Sequence, residues 1–162
     1  MKEHCFYIIK DEFFEKFKNE GSRFKYNKSD SRPTFCCFED KIHKGLFWAI
    51  PTGRAKGKNL SRIKQFMAYD FETDIRASYY YLGYTNQQAI FYISSAFPVT
   101  EKYVLRPYTV QSSPLEIKRT SVLAEIEKRM LKILTYENHH PNVLETHISD
   151  IKRILLEELK KE

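Results

Sequence analysis

A basic segment without acids, Thr52–Gln65, holds the residues best suited to chemistry. Its five basic residues are Arg54, Lys56, Lys58, Arg62 and Lys64. Gly53 and Gly57 allow backbone N–H groups to approach a phosphate, and a helix beginning near Leu60 would present its N-terminus to an anion. The segment is not a P-loop, because its glycine spacing is one residue short and Asn59 follows the Gly-Lys pair. It predicts a nucleic-acid site, with a solvated basic turn as the alternative.

A second polar and basic segment, YNKSDSRP at positions 26–33, precedes the first of two short apolar strands. These strands, Thr34–Phe38 and Leu46–Ile50, are joined by a turn containing glycine, a pattern typical of an antiparallel hairpin. In such a hairpin the start of one strand lies beside the end of the other. The two basic segments should therefore meet at one edge of the sheet and surround a phosphate with hydroxyl and cationic groups, as RNA cleavage requires.

The residues of the two segments, together with Arg23 and Lys25 just before the second segment, form two predicted groups. The predicted catalytic residues are Lys28, Arg32, Thr52, Arg54 and Lys56. The predicted RNA-binding residues are Arg23, Lys25, Tyr26, Asn27, Lys58, Arg62 and Lys64. The aromatic run Tyr79–Tyr81 is more typical of strand packing than of a base-stacking platform.

Histidines and cysteines complete neither a metal site nor a nucleophilic arrangement. No Cys, Asp or Glu gives His139, His140 and His147 a recognised ligand spacing, so a polar connection between helices explains them better. The three cysteines fit no disulfide framework, and Cys36 and Cys37 should be small buried side chains on opposite faces of a strand. We therefore expect no metal and no other cofactor.

Composition narrows the class of protein. The 162 residues, 42% of them hydrophobic, suit a single domain over 1–162. The formal net charge of +6 is concentrated in segments of the N-terminal half, which favours a polyanionic partner. The N-terminus MKEHC lacks the apolar run of a signal peptide, and no apolar stretch approaches the roughly 20 residues that span a bilayer. We expect a cytoplasmic RNA-binding protein with no membrane partner.

Strand patterns come first along the chain and helical patterns last. Further strands are predicted at Cys5–Ile9, Tyr79–Leu82, Ala89–Ser94 and Tyr103–Leu105. Helices are predicted after an Asp11 N-cap, around Leu60–Tyr69, from Ser113 or Thr120, and along an apolar stripe from Leu144 to Leu159. This order predicts an α+β fold built on a compact antiparallel sheet or barrel, with two C-terminal helices.

Four stretches of the chain carry a resemblance to a known family. They are CFYIIKDEFFEKFK, RPTFCCF, GLFWAIPTGRAKGK and AIFYISSAFPVTEKYV. In this order they are similar to the first strand and helix, the Pro-x-x-Phe strand, the strand ending in Pro and Thr, and the later Pro-ended strand of the ToxN family. These are endoribonuclease toxins of type III toxin–antitoxin systems, and the chain most resembles their CptN-type branch.

The resemblance implies an SH3-like β-barrel of the MazF/Kid type decorated by helices. It also implies metal-independent, sequence-specific RNA cleavage through a 2′,3′-cyclic phosphate, in cellular mRNA and in the context of phage defence. The implied partner is a small non-coding antitoxin RNA, which the toxin processes from tandem repeats and retains as folded units. Protein and RNA would form a closed hetero-oligomer.

The resemblance also assigns roles by position. Thr52 matches the active-site threonine of the family, whereas Gly53 stands where the family usually has serine. Arg32 and Lys28 are the nearest counterparts of a loop lysine, and Tyr26 is nearest to a loop tyrosine. Cleavage needs one proton accepted, another donated and a dianionic phosphorane stabilised, so we assign Thr52 and Arg54 to the phosphorane and Lys28 or Lys56 to proton transfer.

Two other classes of protein fit the same sequence. A non-catalytic RNA-binding module would have the same basic loops, but no cleavage that depends on Thr52. A protein-interaction domain could dock through its C-terminal helix, and its binding would be indifferent to salt.

Overall fold

The structure, a computed structural model, describes residues 1–25, 27 and 31–162. These residues include nine strands and four α-helices. The strands are β1 (Phe6–Ile9), β2 (Thr34–Glu39), β3 (Phe47–Arg54), β4 (Tyr80–Tyr84), β5 (Gln88–Tyr92), β6 (Phe97–Val99), β7 (Val104–Pro107), β8 (Thr109–Val110) and β9 (Ser113–Pro114). The helices are α1 (Asp11–Asn19), α2 (Leu60–Met67), α3 (Thr120–His139) and α4 (Ile148–Leu159). None of the helices described is both long and apolar enough to cross a lipid bilayer.

Seven strands form one sheet in the order β4-β5-β3-β2-β1-β7, with β6 also pairing with β3. Every described pairing in it is antiparallel. The predicted hairpin is confirmed as β2–β3, with Thr34 opposite Pro51 and Glu39 opposite Phe47. The α+β class is confirmed with it.

The sheet is curled, because β6 and β7 flank opposite sides of the β3-β2-β1 unit although they are close in sequence. In a flat sheet they would be four strand spacings apart, about 19 Å. Only Thr100 and a 3-10 turn, Glu101–Tyr103, separate them, and even an extended link of this length reaches no more than ~17 Å. No pairing among the described residues closes the sheet on itself. Of the predicted antiparallel sheet or barrel, the described strands therefore form the sheet, which is curled but not closed into a barrel.

Both faces of the sheet are covered by helices. On β2, Cys37 packs in the cluster that contains Ile126 and Met130 of α3, whereas Cys36 packs in the cluster that contains Phe13 of α1 and Leu155 of α4. Both thiols are completely buried, which confirms that these cysteines are core side chains on opposite faces. Apolar residues on both faces of the central strands explain why these strands are continuous hydrophobic runs.

Two predicted helix starts differ from the structure. Ser113-Pro114 forms β9 of a short hairpin rather than a capping box, and α3 begins at Thr120, the alternative start. The hairpin turns through Gln111 and Ser112, both with positive φ, although neither is a residue that commonly signals such a turn. Asp11 is the first residue of α1 and its side chain does not act as an N-cap.

Asp40 holds the turn of the β2–β3 hairpin, the element that carries the two basic segments. Its Oδ2 accepts hydrogen bonds from Trp48 Nε1 at 3.0 Å and Lys152 Nζ at 3.4 Å. Its Oδ1 accepts from the backbone N–H groups of Ile42 and His43 at 3.1 and 3.0 Å. Burial alone would raise the pKa of this carboxyl, but the hydrogen bonds from Trp48 and His43 lower it to about 2.

Asp40→Asn should destabilise the fold by about 2 kcal/mol at neutral pH, the value that corresponds to the lowered pKa. Because the folded-state pKa lies below the ordinary value of 3.8, this stability is present above pH 3.8 and is lost as the pH falls toward 2. Urea unfolding at pH 7 and pH 2.5 measures it, with Glu157→Gln, at an exposed ion pair, as the control. An equal difference between wild type and Asp40→Asn at both pH values would contradict this role.

Candidate functional site

A cavity of about 480 Å³ opens where β3 ends and β2 begins. Four predicted catalytic residues from two separate segments of the sequence line it together: Arg32, Thr52, Arg54 and Lys56. The remaining lining residues are Phe6, Ser31, Pro33, Gly53, Thr85, Asn86, Gln87, Ala89, Tyr92, Tyr108 and Leu115. Arg32, Arg54 and Lys56 are cations, and no described lining residue is Asp, Glu or His, so the cavity is suited to an anion.

Thr52 fastens the two basic segments together. Its backbone N–H and its hydroxyl both donate to the carbonyl oxygen of Pro33, at 3.2 and 2.7 Å. Its own carbonyl oxygen accepts a hydrogen bond from Arg32 Nη1 at 2.9 Å. The side chain is almost fully buried, and its proton is used within the protein. Thr52 therefore positions Arg32 and Pro33, rather than donating to a bound phosphate in this state.

Gly53 allows a tyrosine to close over the site. A Cβ at this position would lie 3.1 Å from Tyr92 Cε2 and 3.5 Å from Arg32 Nη1. Glycine thus lets the ring and the guanidinium approach the strand closely. A serine here, as in the family that the chain resembles, would press against the Tyr92 ring.

Tyr92 lines the cavity and also contacts Lys25, one of the predicted RNA-binding residues. The Lys25 amine lies 4.4 Å from the centre of the Tyr92 ring, a cation–π contact. Burial, followed by the positive charge of Arg32, lowers the pKa of Lys25. Burial also lowers the pKa of Arg32 and raises that of Tyr92. The group offers two cations and a phenolic donor at one edge of the cavity.

Several lining residues are not among those predicted from the sequence. Thr85, Asn86 and Gln87 form the β4–β5 turn, and they reach the cavity because the start of β5 pairs with the end of β3, with Ala89 opposite Arg54. The amide-rich segment YTNQQ, at positions 84–88, is typical of a turn. Its nearness to Arg54 depends on the β3–β5 pairing, which no local pattern indicates.

The other predicted RNA-binding residues occupy different positions. Asn27 is buried, and its amide donates to the Ile9 carbonyl at 3.0 Å and to Asp11 Oδ1 at 2.9 Å, which favours anchoring of the loop over contact with RNA. Arg23 is exposed and lines a neighbouring cavity of about 610 Å³. Lys58 on the loop after β3 and the α2 residues Arg62 and Lys64 are exposed. Tyr26 and Lys28 lie outside the described residues.

The histidines of the C-terminal region are not part of the cavity. Within the described ranges, no three His, Cys, Asp or Glu side chains are grouped so that they could hold a metal ion. His139 ends α3 and His140 stacks on Tyr136, with ring centres 4.6 Å apart. Metal-independent chemistry stays a prediction.

No model of a known protein family matches the chain, and no curated protein matches it at a significant level. The resemblance to the ToxN family therefore stays a prediction.

Proposed function

We propose that this protein is an endoribonuclease that cleaves RNA by attack of a ribose 2′-OH on the adjacent phosphate, leaving a 2′,3′-cyclic phosphate. The observation that supports this best is the convergence of Arg32, Arg54 and Lys56 on one cavity. The RNA backbone supplies the anion that such a cavity suits. In the reaction the phosphate gains negative charge, and cations that are already in place stabilise that charge without reorganisation.

Each residue has a distinct task in the proposed reaction. Arg32 and Arg54 contact the non-bridging oxygens and stabilise the phosphorane. Lys56 takes part in proton transfer at the 2′-OH or the leaving 5′-oxygen. Thr52 acts indirectly, since its hydrogen bonds with Pro33 and Arg32 hold the Arg32 guanidinium in position.

The remaining parts of the proposal follow the resemblance to ToxN-like toxins. The curled sheet would be an open variant of their SH3-like barrel. The protein would act in the cytoplasm on cellular mRNA. A small repeat RNA would occupy the same cationic surface, inhibit cleavage and assemble with the protein into a closed complex.

Purified protein should cleave cellular RNA in the presence of EDTA and leave 2′,3′-cyclic ends, and Lys56→Ala should reduce the rate by a hundredfold or more. The reason is that loss of a positioned proton-transfer group costs about 10²–10⁴ in rate. Gel analysis and sequencing of the cyclic ends measure the effect. Lys41→Ala, at the hairpin turn far along the strands from the cavity, is the matched control. Cleavage that requires a specific divalent ion would refute the metal-independent mechanism.

A non-catalytic RNA-binding module is the second candidate, and one observation favours it. The lining side chains described include no histidine or carboxylate, the commonest groups for proton transfer, and the Thr52 hydroxyl donates to Pro33. Under this alternative the protein binds RNA tightly, and the RNA remains intact at every protein concentration.

A further inference from the structure

Four aromatic rings continue outward from the cavity across β5, β4 and α2. Tyr92 pairs with Tyr80 across the strands, with ring centres 6.2 Å apart. Tyr80 lies 5.7 Å from Phe66, and Phe66 lies 5.5 Å from Tyr69. We refer to Tyr92, Tyr80, Phe66 and Tyr69 as the aromatic strip. Its first member lines the cavity, so the strip is continuous with the site described above.

The aromatic strip is partly accessible to solvent and is accompanied by cations. All four rings are only partly buried, unlike the fully buried core ring of Phe91 on β5. Lys25 lies over Tyr92, and the guanidinium of Arg62 lies 5.2 Å from the centre of Phe66. Burial, Arg32 and, to a smaller extent, Arg62 lower the pKa of Lys25, whereas the carboxylate of Glu145 raises it. Positive charge thus follows the rings away from the cavity.

Acidic residues mark the outer end of the strip. Arg76 lies 4.4 Å from the centre of the Tyr69 ring, but its Nη2 is paired with Asp74 at 2.7 Å. Asp70 follows Tyr69 directly and accepts hydrogen bonds from the backbone N–H groups of Glu72 and Thr73. An anion is therefore favoured beside Tyr92, Tyr80 and Phe66 and disfavoured beyond Tyr69.

We propose that the aromatic strip binds single-stranded RNA that leaves the cavity, with bases stacking on Tyr80 and Phe66 and phosphates contacting Lys25 and Arg62. This inference rests on the proposed function, because it takes the RNA strand to run from the cavity along the strip. Exposed rings flanked by cations bind single strands of any sequence, because every base has a π-face and every nucleotide a charge. A duplex cannot use the strip, since its bases are already stacked inside the helix. The run Tyr79–Tyr81 thus has a binding role at Tyr80 in addition to strand packing.

The test uses the full chain and three fluorescent probes with equal numbers of phosphates: a mixed-sequence single-stranded RNA, the same strand with abasic sites throughout, and a duplex. All are made with 2′-O-methyl ribose so that they cannot be cleaved by 2′-OH attack. Binding is measured by anisotropy for wild type, Tyr80→Leu and Phe66→Leu. Phe71→Leu is the matched control, because Phe71 is also a partly buried ring beneath two cations, Lys128 and Lys132, but lies off the strip.

Each strip variant should bind the single strand roughly tenfold more weakly, the loss expected for one base–aromatic stack. Abasic and duplex binding should be unchanged, and so should all binding by Phe71→Leu. An equal loss on the abasic probe, or no loss on the single strand, would overturn the proposal. Melting temperatures show whether a variant remains folded, and Tyr80→Phe, which keeps a ring, should retain wild-type affinity.

Cleavage assays separate this inference from the proposed function. If wild type cleaves RNA and Tyr80→Leu binds normally, only the strip is wrong. If wild type binds with the expected base dependence but never cleaves, only the nuclease proposal is wrong.

Discussion

Arg32→Ala should reduce RNA cleavage by at least about a hundredfold while RNA continues to bind. Binding is spread over many phosphate contacts, each of which can be lost at modest cost, whereas stabilisation of the phosphorane depends on a few groups at one phosphorus. Arg32 is the cation best fixed in place, because its Nη1 donates to the Thr52 carbonyl oxygen and its guanidinium packs beside Gly53 and Tyr92. Removal of one preorganised donor costs about 10²–10³ in rate.

Two variants make the result specific. Arg32→Lys keeps the charge but loses the planar fork, so it should recover only part of the rate. Lys41→Ala removes an exposed cation at the β2–β3 turn that does not line the cavity, and its single-turnover rate should be close to wild type. If Lys41→Ala slowed cleavage as much as Arg32→Ala does, general electrostatic attraction would explain both effects, and the assignment of Arg32 would be wrong.

RNA affinity should fall about a thousandfold between 50 and 200 mM salt. Apart from Arg23, which lines the neighbouring cavity, the described cations of the predicted interface number seven: Lys25, Arg32, Arg54, Lys56, Lys58, Arg62 and Lys64. If each contacts one phosphate of a single strand, the logarithm of affinity falls against the logarithm of salt with a slope of about −5. Equilibrium titrations at four or more salt concentrations give this slope directly.

Paired substitutions show which cations are responsible. Arg62→Ala combined with Lys64→Ala removes two cations of α2 and should make the slope shallower by about 1.4. Lys160→Ala combined with Lys161→Ala removes the same charge at the end of α4 and should leave the slope unchanged. A slope near zero for wild type would favour the protein-interaction class over any RNA-binding class.

The local parts of the fold could be predicted from the sequence, because short-range patterns determine them. The β2–β3 hairpin follows from two apolar runs around a glycine-containing turn, and this hairpin alone brings Arg32 beside Thr52. The hydrophobic stripes of α2 and α4 are periodic, so these helices are visible too. The β8–β9 hairpin was missed because Ser113-Pro114-Leu115-Glu116 has the form of a helix start, and long-range pairing of Cys5 with Glu116 prevails over that local preference.

The rest of the site depends on pairings between distant segments. Tyr92 reaches the cavity only because β5 lies beside the C-terminal half of β3, while β6 occupies the edge beside its N-terminal half. A change of partner along one strand has no signature in composition or periodicity. Asn27 is a second example, because its hydrogen bonds are made to Ile9 and Asp11, far away in the sequence. Its residue type and polar neighbours are typical of an exposed loop.

The pairing of β1 with both β2 and β7 has a consequence for the order of events during synthesis. β1 is made first, but its second edge is completed only when residues 104–107 have left the ribosome, and the cavity also needs Tyr108 and Leu115. Contacts so distant in sequence form late. The assembled cavity is therefore absent from the growing chain until Leu115 has been made. If the protein cleaves RNA as proposed, a growing chain that ends before Leu115 has no complete site with which to cut the transcript that encodes it.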